Sequence, residues 1–317
     1  MVDVAELRMI RAVADARSFS GAARTLGYSQ PAVGQRIRRL EARLGVTLVL
    51  RQGRRLMLTE AAEILLERGS AALALLESAE REIASLGSLG AGRVRVVAFS
   101  TASAALVPRT LDHLRQRTPN LTLTFREARP EVARDLLVQG AYDIAVVFRY
   151  SVLPIPTGNR DRDLVRIRLF TEDIRVALPR SHRLAGRRKV RLADLADEDW
   201  IAGLHRPHLE HICRDAGFEP RVTHQLDDHV AAQALVAAGF GVALLPALSG
   251  VASRHPDLVF GSLSPTPTRE VLLETRQGML RIPAVAETVN AFRHVGAELR
   301  APIPGWAFHA CESSENF

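Results

Sequence analysis

Apolar residues Val4, Leu7, Ile10 and Ala14 recur at intervals of three and four, which predicts a first helix ending near Ala16. Ser20 reads as the N-cap of a short second helix, Gly21 to Leu26, which Gly27 ends. A third helix starts near Gln30, with Pro31 in its first turn, where the missing N–H costs nothing. Val33, Ile37, Leu40 and Leu44 form its apolar stripe, and Gly45 stops it. Thr47–Arg51 and Arg55–Leu58 read as two short strands around the tight turn Gln52-Gly53-Arg54.

From Leu58 the pattern predicts one helix running to about Leu86. Its apolar or small positions are Leu58, Ala62, Leu65, Gly69, Ala72, Leu76, Ala79, Ile83 and Leu86. They alternate steps of four and three over four heptads, the spacing of a coiled-coil seam. Leu65, Ala72, Leu76, Ala79, Ile83 and Leu86 are therefore candidates for a dimer contact, and Gly87 to Gly92 reads as the linker that follows.

Beyond Arg93 the period changes. Arg93–Phe99 and Leu121–Glu127 alternate as strands, and Asp143–Phe148 is a continuous apolar strand. Helices are expected from about Ser103 to Arg117 and over Glu131–Gln139. Strands alternating with helices imply a parallel, doubly wound sheet. A second unit begins near Arg168, with strands Ile174–Leu178, Trp200–Ala202 and Val242–Leu245 and a helix Val230–Ala238 ended by Gly239. The expected fold is α/β behind an all-α N-terminal part. Its domains are residues 1–58, a linker helix 59–92 and a unit 93–301, followed by a loose tail 302–317. The 93–301 unit divides into subdomain I (93–167 and 270–301) and subdomain II (168–269).

Charge sharpens this picture. The net charge is +7 over 317 residues, and Lys189 is the only lysine. Between Arg17 and Arg55 nine arginines face one acid, Glu41, whereas Leu56 to Gly92 holds two arginines against six glutamates. A basic block beside an acidic one predicts a phosphate-facing surface confined to the first block. No apolar run reaches the roughly 18 residues that span a bilayer, and Met1 to Arg11 does not read as a secretory signal. Cys213 and Cys311 lack Cys-x-x-Cys spacing and read as reduced thiols, so a cytoplasmic protein is expected. No phosphate loop, Gly-x-Ser-x-Gly elbow or paired metal motif supports an enzyme. His205, His208 and His211 lie close in sequence, but Cys213 is off the helical face shared by His208 and His211, so no metal or other cofactor is expected. A transport module of the solute-binding kind is disfavoured by the N-terminal part and by the lack of a signal.

The stretch Ser18-Phe19-Ser20-Gly21-Ala22-Ala23, Leu26, Ser29-Gln30-Pro31-Ala32-Val33, Ile37, Leu40-Glu41, Leu44-Gly45 and Leu58-Thr59 has the pattern of a helix-turn-helix. Ala22 and Ala23 are small enough for the third helix to pack across them. Pro31, Gly34, Gln35 and Arg38 fall opposite the apolar stripe, and Gln30 and Gln35 carry amides suited to base edges. Ser20 is suited to a phosphate, and Arg54 and Arg55 on the hairpin to the DNA backbone or minor groove.

At these residues the chain resembles the LysR-type transcriptional regulators, from about Leu7 to about Arg300, most closely in the first 60 residues. The resemblance implies a winged helix-turn-helix, a linker helix that pairs subunits, and a sensor domain of two subdomains like type 2 periplasmic binding proteins. It implies double-stranded DNA, a small organic effector, RNA polymerase and a homotetramer (a dimer of dimers) as partners, and Ser29 and Arg36 complete the DNA-binding set. Four positions depart from the family: Gly34 replaces a serine, Arg36 a glutamine, Val49 a phenylalanine and Ala61 a glycine, the last two read as packing changes. Glycine within a helix costs about 1 kcal/mol relative to alanine. In the sensor half, Ser100, Thr101, Ala102 and Ser103 follow a strand and are expected to hold an effector carboxylate. Arg129 and Arg149 would add positive charge, and Phe148 and Ile201 apolar walls; Pro130 stands where a second hydroxyl is expected.

Overall fold

The computed structural model describes residues 2–52, 55–85, 92–150, 164–203, 205–299 and 308–309. Gly53, Arg54, Leu86 and nearly all of the tail lie outside them, as do the side chains of Arg55 and Ala79. The chain forms two units, taken here in turn.

In the first unit, α1 (Val4–Ala16) opens with a capping box: the Glu6 amide donates to Asp3 Oδ1 at 2.8 Å and the Asp3 amide to Glu6 Oε2 at 3.0 Å. It ends at Arg17, which takes the left-handed conformation at φ 47°. Helix α2 (Phe19–Leu26) begins two residues earlier than expected. Ser18, not Ser20, is its cap, because Ser18 Oγ in extended backbone accepts from the Gly21 amide at 3.1 Å. Helix α3 (Gln30–Leu44) is capped by Ser29 and carries Pro31 in its first turn. Val33, Ile37 and Leu40 are buried with Ala22, Ala23, Met9 and Ile10. Leu44, the last residue of α3, is 40% exposed, so the stripe stops one step short of the expectation.

Strands β1 (Val49–Gln52) and β2 (Arg55–Leu58) pair antiparallel, with Gln52 opposite Arg55. Glu41 on α3 accepts from the Leu48 and Val49 amides at 2.8 and 3.1 Å, which fastens the hairpin to the helix. Helix α4 (Glu60–Ser85) carries two stripes that part company. Ala62, Gly69 and Leu73 are buried within the unit, while Ala72, Leu76 and Ile83 are exposed and Leu65 is intermediate. A straight helix turns every 3.6 residues, so a 3.5-residue seam drifts away from the face that packs on α1. Gly69 is where α1 comes closest: a Cβ there would lie 2.3 Å from Leu7 Cδ2.

The second unit starts with β3 (Gly92–Ala98), α5 (Ser100–Ala105), α6 (Val107–Arg117), β4 (Leu121–Glu127), α7 (Pro130–Val138) and β5 (Ile144–Tyr150). The helix expected from Ser103 is thus two helices, broken at Leu106 before Pro108. Then come β6 (Leu164–Pro179), β7 (Val190–Arg191), β8 (Asp199–Ala202), α8 (Arg206–Asp215), β9 (Arg221–Gln225), α9 (His229–Ala237), β10 (Val242–Pro246) and α10 (Ala247–Ala252). Strands β11 (Leu258–Gly261), β12 (Leu263–Ser264) and β13 (Thr268–Arg276) and helix α11 (Pro283–Leu299) follow.

The sheet order is β4-β3-β5-β13-β6-β10-β8-β9. It is mixed rather than all parallel: β3 pairs parallel with β4 and β5, but β13 runs antiparallel to β5 and β6, and β10 antiparallel to β6. The cause is one strand shared by two lobes. Through Asp173, β6 pairs with β13, and from Ile174 it pairs with β10. The chain therefore passes between lobes at Asp173–Ile174, later than the boundary expected near Arg168, and returns at Thr268. One core gathers Val96, Phe99, Val146, Phe170, Leu273 and Phe292, and the other Val176, Trp200, Leu209, Val242 and Leu244.

Gly69→Val should overfill the α1–α4 contact against Leu7. The expected loss is about 1–3 kcal/mol of stability, read by denaturant unfolding of the first unit's helical signal.

Candidate functional site

On α3, Gln30, Pro31, Gln35, Arg38 and Arg39 are exposed together, with Ser29 at the cap and Ser20 exposed on α2. Gly34 is not on this face as expected but buried; a Cβ added there would meet only Arg38 Nη1, at 3.4 Å. Arg36 is half-buried, 3.6 Å from Asp3, and Arg43 lies 2.6 Å from Glu6. The acids that cap α1 thus draw two of the basic residues to one flank of α3. What remains is an exposed face of amides and guanidinium groups, shaped and charged for a nucleic-acid groove.

In the second unit, a cavity of about 620 Å³ is lined from both lobes. Ser100, Thr101, Arg129 and Phe148 line it, as expected from the sequence. Four other candidates do not. Ala102 is buried in the first lobe's core, and Ser103 Oγ turns back to donate to the Ala98 carbonyl at 3.4 Å. Arg149 alternates with Phe148 along β5 and so faces the other side, where it pairs with Glu270. Ile201 points away into a cluster with Val236 and Leu245.

The floor of the cavity is a residue the sequence reading passed over. Arg269, 2% exposed, donates to Glu172 Oε1 at 2.7 Å and to Thr101 Oγ1 at 2.8 Å. Its guanidinium packs against the rings of Phe148 (4.5 Å) and Phe99 (5.0 Å), which themselves meet edge to face at 4.9 Å. Glu172, fully buried, also accepts from the Leu248 amide at 2.6 Å. Burial raises the Glu172 pKa, against the pull of Arg269 and the Leu248 amide. Tyr150, at the end of β5, is pushed up to about 12 by burial, opposed by Arg269. The only local hint of Arg269 was an arginine beside the apolar run Val271-Leu272-Leu273.

Three histidines lie around this site, each held below the usual imidazole range. Burial, then the charge of Arg269, lowers His205 to about 4 and His229 to about 3. His208, stacked on Tyr150 at 4.0 Å and 9°, is lowered to about 4, chiefly by burial. The Nε2 atom of His205 is buried without a hydrogen-bond partner. Among the described residues, no three His, Cys, Asp or Glu side chains are grouped to hold a metal ion. At the mouth, Arg129 pairs with Asp227, and Asp228 caps α9 by accepting from the Val230 and Ala231 amides.

A winged helix-turn-helix ahead of a two-lobed α/β unit with a cleft defines a DNA-binding regulator with a ligand-binding domain. Residues 4–63 match the bacterial regulatory helix-turn-helix protein of the lysR family, and residues 87–297 the LysR substrate binding domain. The chain belongs to the LysR family of transcriptional regulators. It is 30% identical over 271 residues to the HTH-type transcriptional regulator XapR of Escherichia coli, covering 82% of this chain and 87% of that protein. It is 34% identical over 284 residues to a probable hydrogen peroxide-inducible genes activator of Mycobacterium avium, covering 86% and 88%. Full-length OxyR C199D from Pseudomonas aeruginosa shares the fold, with a TM-score of 0.72, 23% identity and coverage of 92% and 95%. So does CbnR, a LysR family regulator, at 0.62, 24%, 93% and 99%.

Glu172→Gln would leave Arg269 buried without a counter-ion, and about 3–5 kcal/mol of stability should be lost. Replacing both residues by methionine should recover most of that loss in a chemical unfolding cycle. Acid should also weaken the second unit. His205 and His208 protonate near 6.5 when unfolded but only near 4 when folded. Their stabilisation is complete above about pH 6.5 and declines as pH falls toward 4, by at most roughly 1.4 kcal/mol per pH unit for each. Unfolding midpoints at pH 7.5 and 4.5 should show a smaller acid loss in His208→Phe than in wild type.

Proposed function

We propose that the exposed face of α3 reads a promoter operator in the major groove and that the cavity of the second unit takes the effector. The observation that carries the first half is the face holding Gln30, Pro31, Gln35 and Arg38, beside a chain segment with nine arginines against one acid. Gln30 and Gln35 supply base contacts. Ser20, Ser29, Arg36, Arg54 and Arg55 serve the phosphate backbone. The effector is a small organic molecule lying against Phe99 and Phe148 and bonding the free Nε2 of His205. The carboxylate expected at Thr101 is not kept in this reading, because Glu172 already neutralises Arg269 and Thr101 already accepts from it.

The protein acts by binding rather than catalysis, in the cytoplasm, as a dimer of dimers that contacts RNA polymerase. The exposed outer stripe of α4, Ala72, Leu76 and Ile83, supports pairing through that helix. Peroxide sensing, suggested by the names of several relatives, is not supported at Cys213. That thiol is buried and pushed up to about 12, whereas reaction with peroxide needs an accessible thiolate.

The test joins the two functions of the first unit. Leu76→Asp with Ile83→Asp places charges in the proposed seam while changing only exposed positions. Light scattering should show a smaller assembly, and DNA binding at 50 and 200 mM salt should keep a steep salt dependence but lose most of its affinity. An unchanged mass would remove α4 as the interface. Salt-insensitive DNA binding by the wild type would remove the phosphate-facing surface.

A further inference from the structure

We propose that Arg38 is the guanine-reading side chain of α3, its guanidinium lying back along the helix over Gly34. The inference rests on the reading of α3 as the recognition helix and assigns one base to one residue. Gly34 lies in the middle of a 15-residue helix, where glycine is a poor helix former. Its backbone is not left-handed, since the positive-φ residues are others. No neighbouring element demands a small residue there either: the only atom near a would-be Cβ is Arg38 Nη1, at 3.4 Å. Position 34 is therefore covered by one side chain, the arginine one turn further on, with which a Cβ would be in ordinary contact.

The other arginines of α3 are placed differently. Arg36 and Arg43 are drawn toward Asp3 and Glu6 on α1, and Arg39 lies with them around a hollow on that flank. Arg38 is exposed, on the Gly34 side, and has no carboxylate partner among the described residues. Side chains on a helix lean toward its N-terminus. Folded over Gly34, the guanidinium reaches back toward Gln30 and Pro31, the end of a recognition helix that meets base edges. Its planar fork there matches the O6 and N7 acceptors of guanine. A serine at position 34 would set a hydroxyl oxygen against the fork, where it competes with guanine for the fork's donors.

The test is selection of binding sites from a randomised double-stranded DNA library by the full-length chain, followed by sequencing. Wild type, Arg38→Gln, Gly34→Ser and Arg39→Gln are compared, with circular dichroism melts to confirm folding. Wild type should enrich a motif with a fixed guanine in each half-site. Arg38→Gln should lower the preference for that guanine by about 5-fold or more, or turn it to adenine, which glutamine reads. Gly34→Ser should weaken the same position, and Arg39→Gln should lower affinity without changing the motif. An unchanged guanine in Arg38→Gln overturns the assignment while leaving the recognition helix in place. Should Arg38→Gln bind no DNA, Gly34→Ser decides, and a guanine preference it leaves intact overturns the proposal. A wild type that enriches no sequence overturns both this inference and the reading of α3 on which it rests.

Discussion

Arg269 and Glu172 sit on the two strands that cross between the lobes of the second unit, and both are removed from water. Neither charge is tolerable alone at that depth, so each fixes the position of the other. Through Thr101 the pair holds the start of α5, and through the Leu248 amide it holds α10. Helix α10 follows a strand of the second lobe, yet Ala247 and Leu248 belong to the core of the first. The pair thus sets the register of β6 on β13 at the point where the sheet changes partners. The cavity inherits its shape from this: Phe99 and Phe148 meet edge to face, and the guanidinium packs against both rings.

The first unit is governed by a division of labour among its charges. Glu6 is buried and serves both the α1 cap and Arg43, and Glu41 holds the hairpin amides. With its few acids used in this way, the basic surface of α3 is left uncompensated on one face only. Helix α4 shows the same economy in apolar residues. Its inner positions complete the core beneath α1, and its outer positions stay exposed, because one straight helix cannot keep a 3.5-residue seam on a 3.6-residue face.

The helices of the first unit were legible because their information is local: apolar spacing, a serine, threonine or aspartate before each start, and a glycine after α2 and α3. Even there Ser18 and Ser20 compete as caps, and only backbone geometry chooses between them. The second unit was legible as far as its strands were apolar. The first half of β6 was missed because Arg166, Arg168, Glu172 and Asp173 read as a polar stretch. The counter-charges of Arg166, Arg168 and Glu172 are Glu274, Glu270 and Arg269 on β13, about a hundred residues away in sequence. Ile201 illustrates the other limit. In a sheet covered on both faces, Trp200 and Ile201 are equally buried, and alternation alone cannot say which face meets the cavity. Arg149 was misplaced for the same reason, one residue from two cavity-lining neighbours, Phe148 and Tyr150.

What an effector can do here follows from which groups are already committed. Arg269, Thr101, Arg129 and Asp228 are bonded within the protein, so a ligand that engages them must replace existing bonds and gains little. The free Nε2 of His205 and the aromatic faces are different, because contact with them adds interactions that the empty cavity lacks. The lining comes from both lobes, and β6 and β13 cross between them, so those added contacts depend on how the lobes are set. A ligand shifts such an equilibrium only by its differential affinity for the two settings. The committed ion pair keeps the crossing strands in register whatever the setting. In the effector reading proposed above, the selectivity of the response resides in the uncommitted histidine and the rings, which are parts of the cavity that a regulator of different ligand preference could change without disturbing the fold.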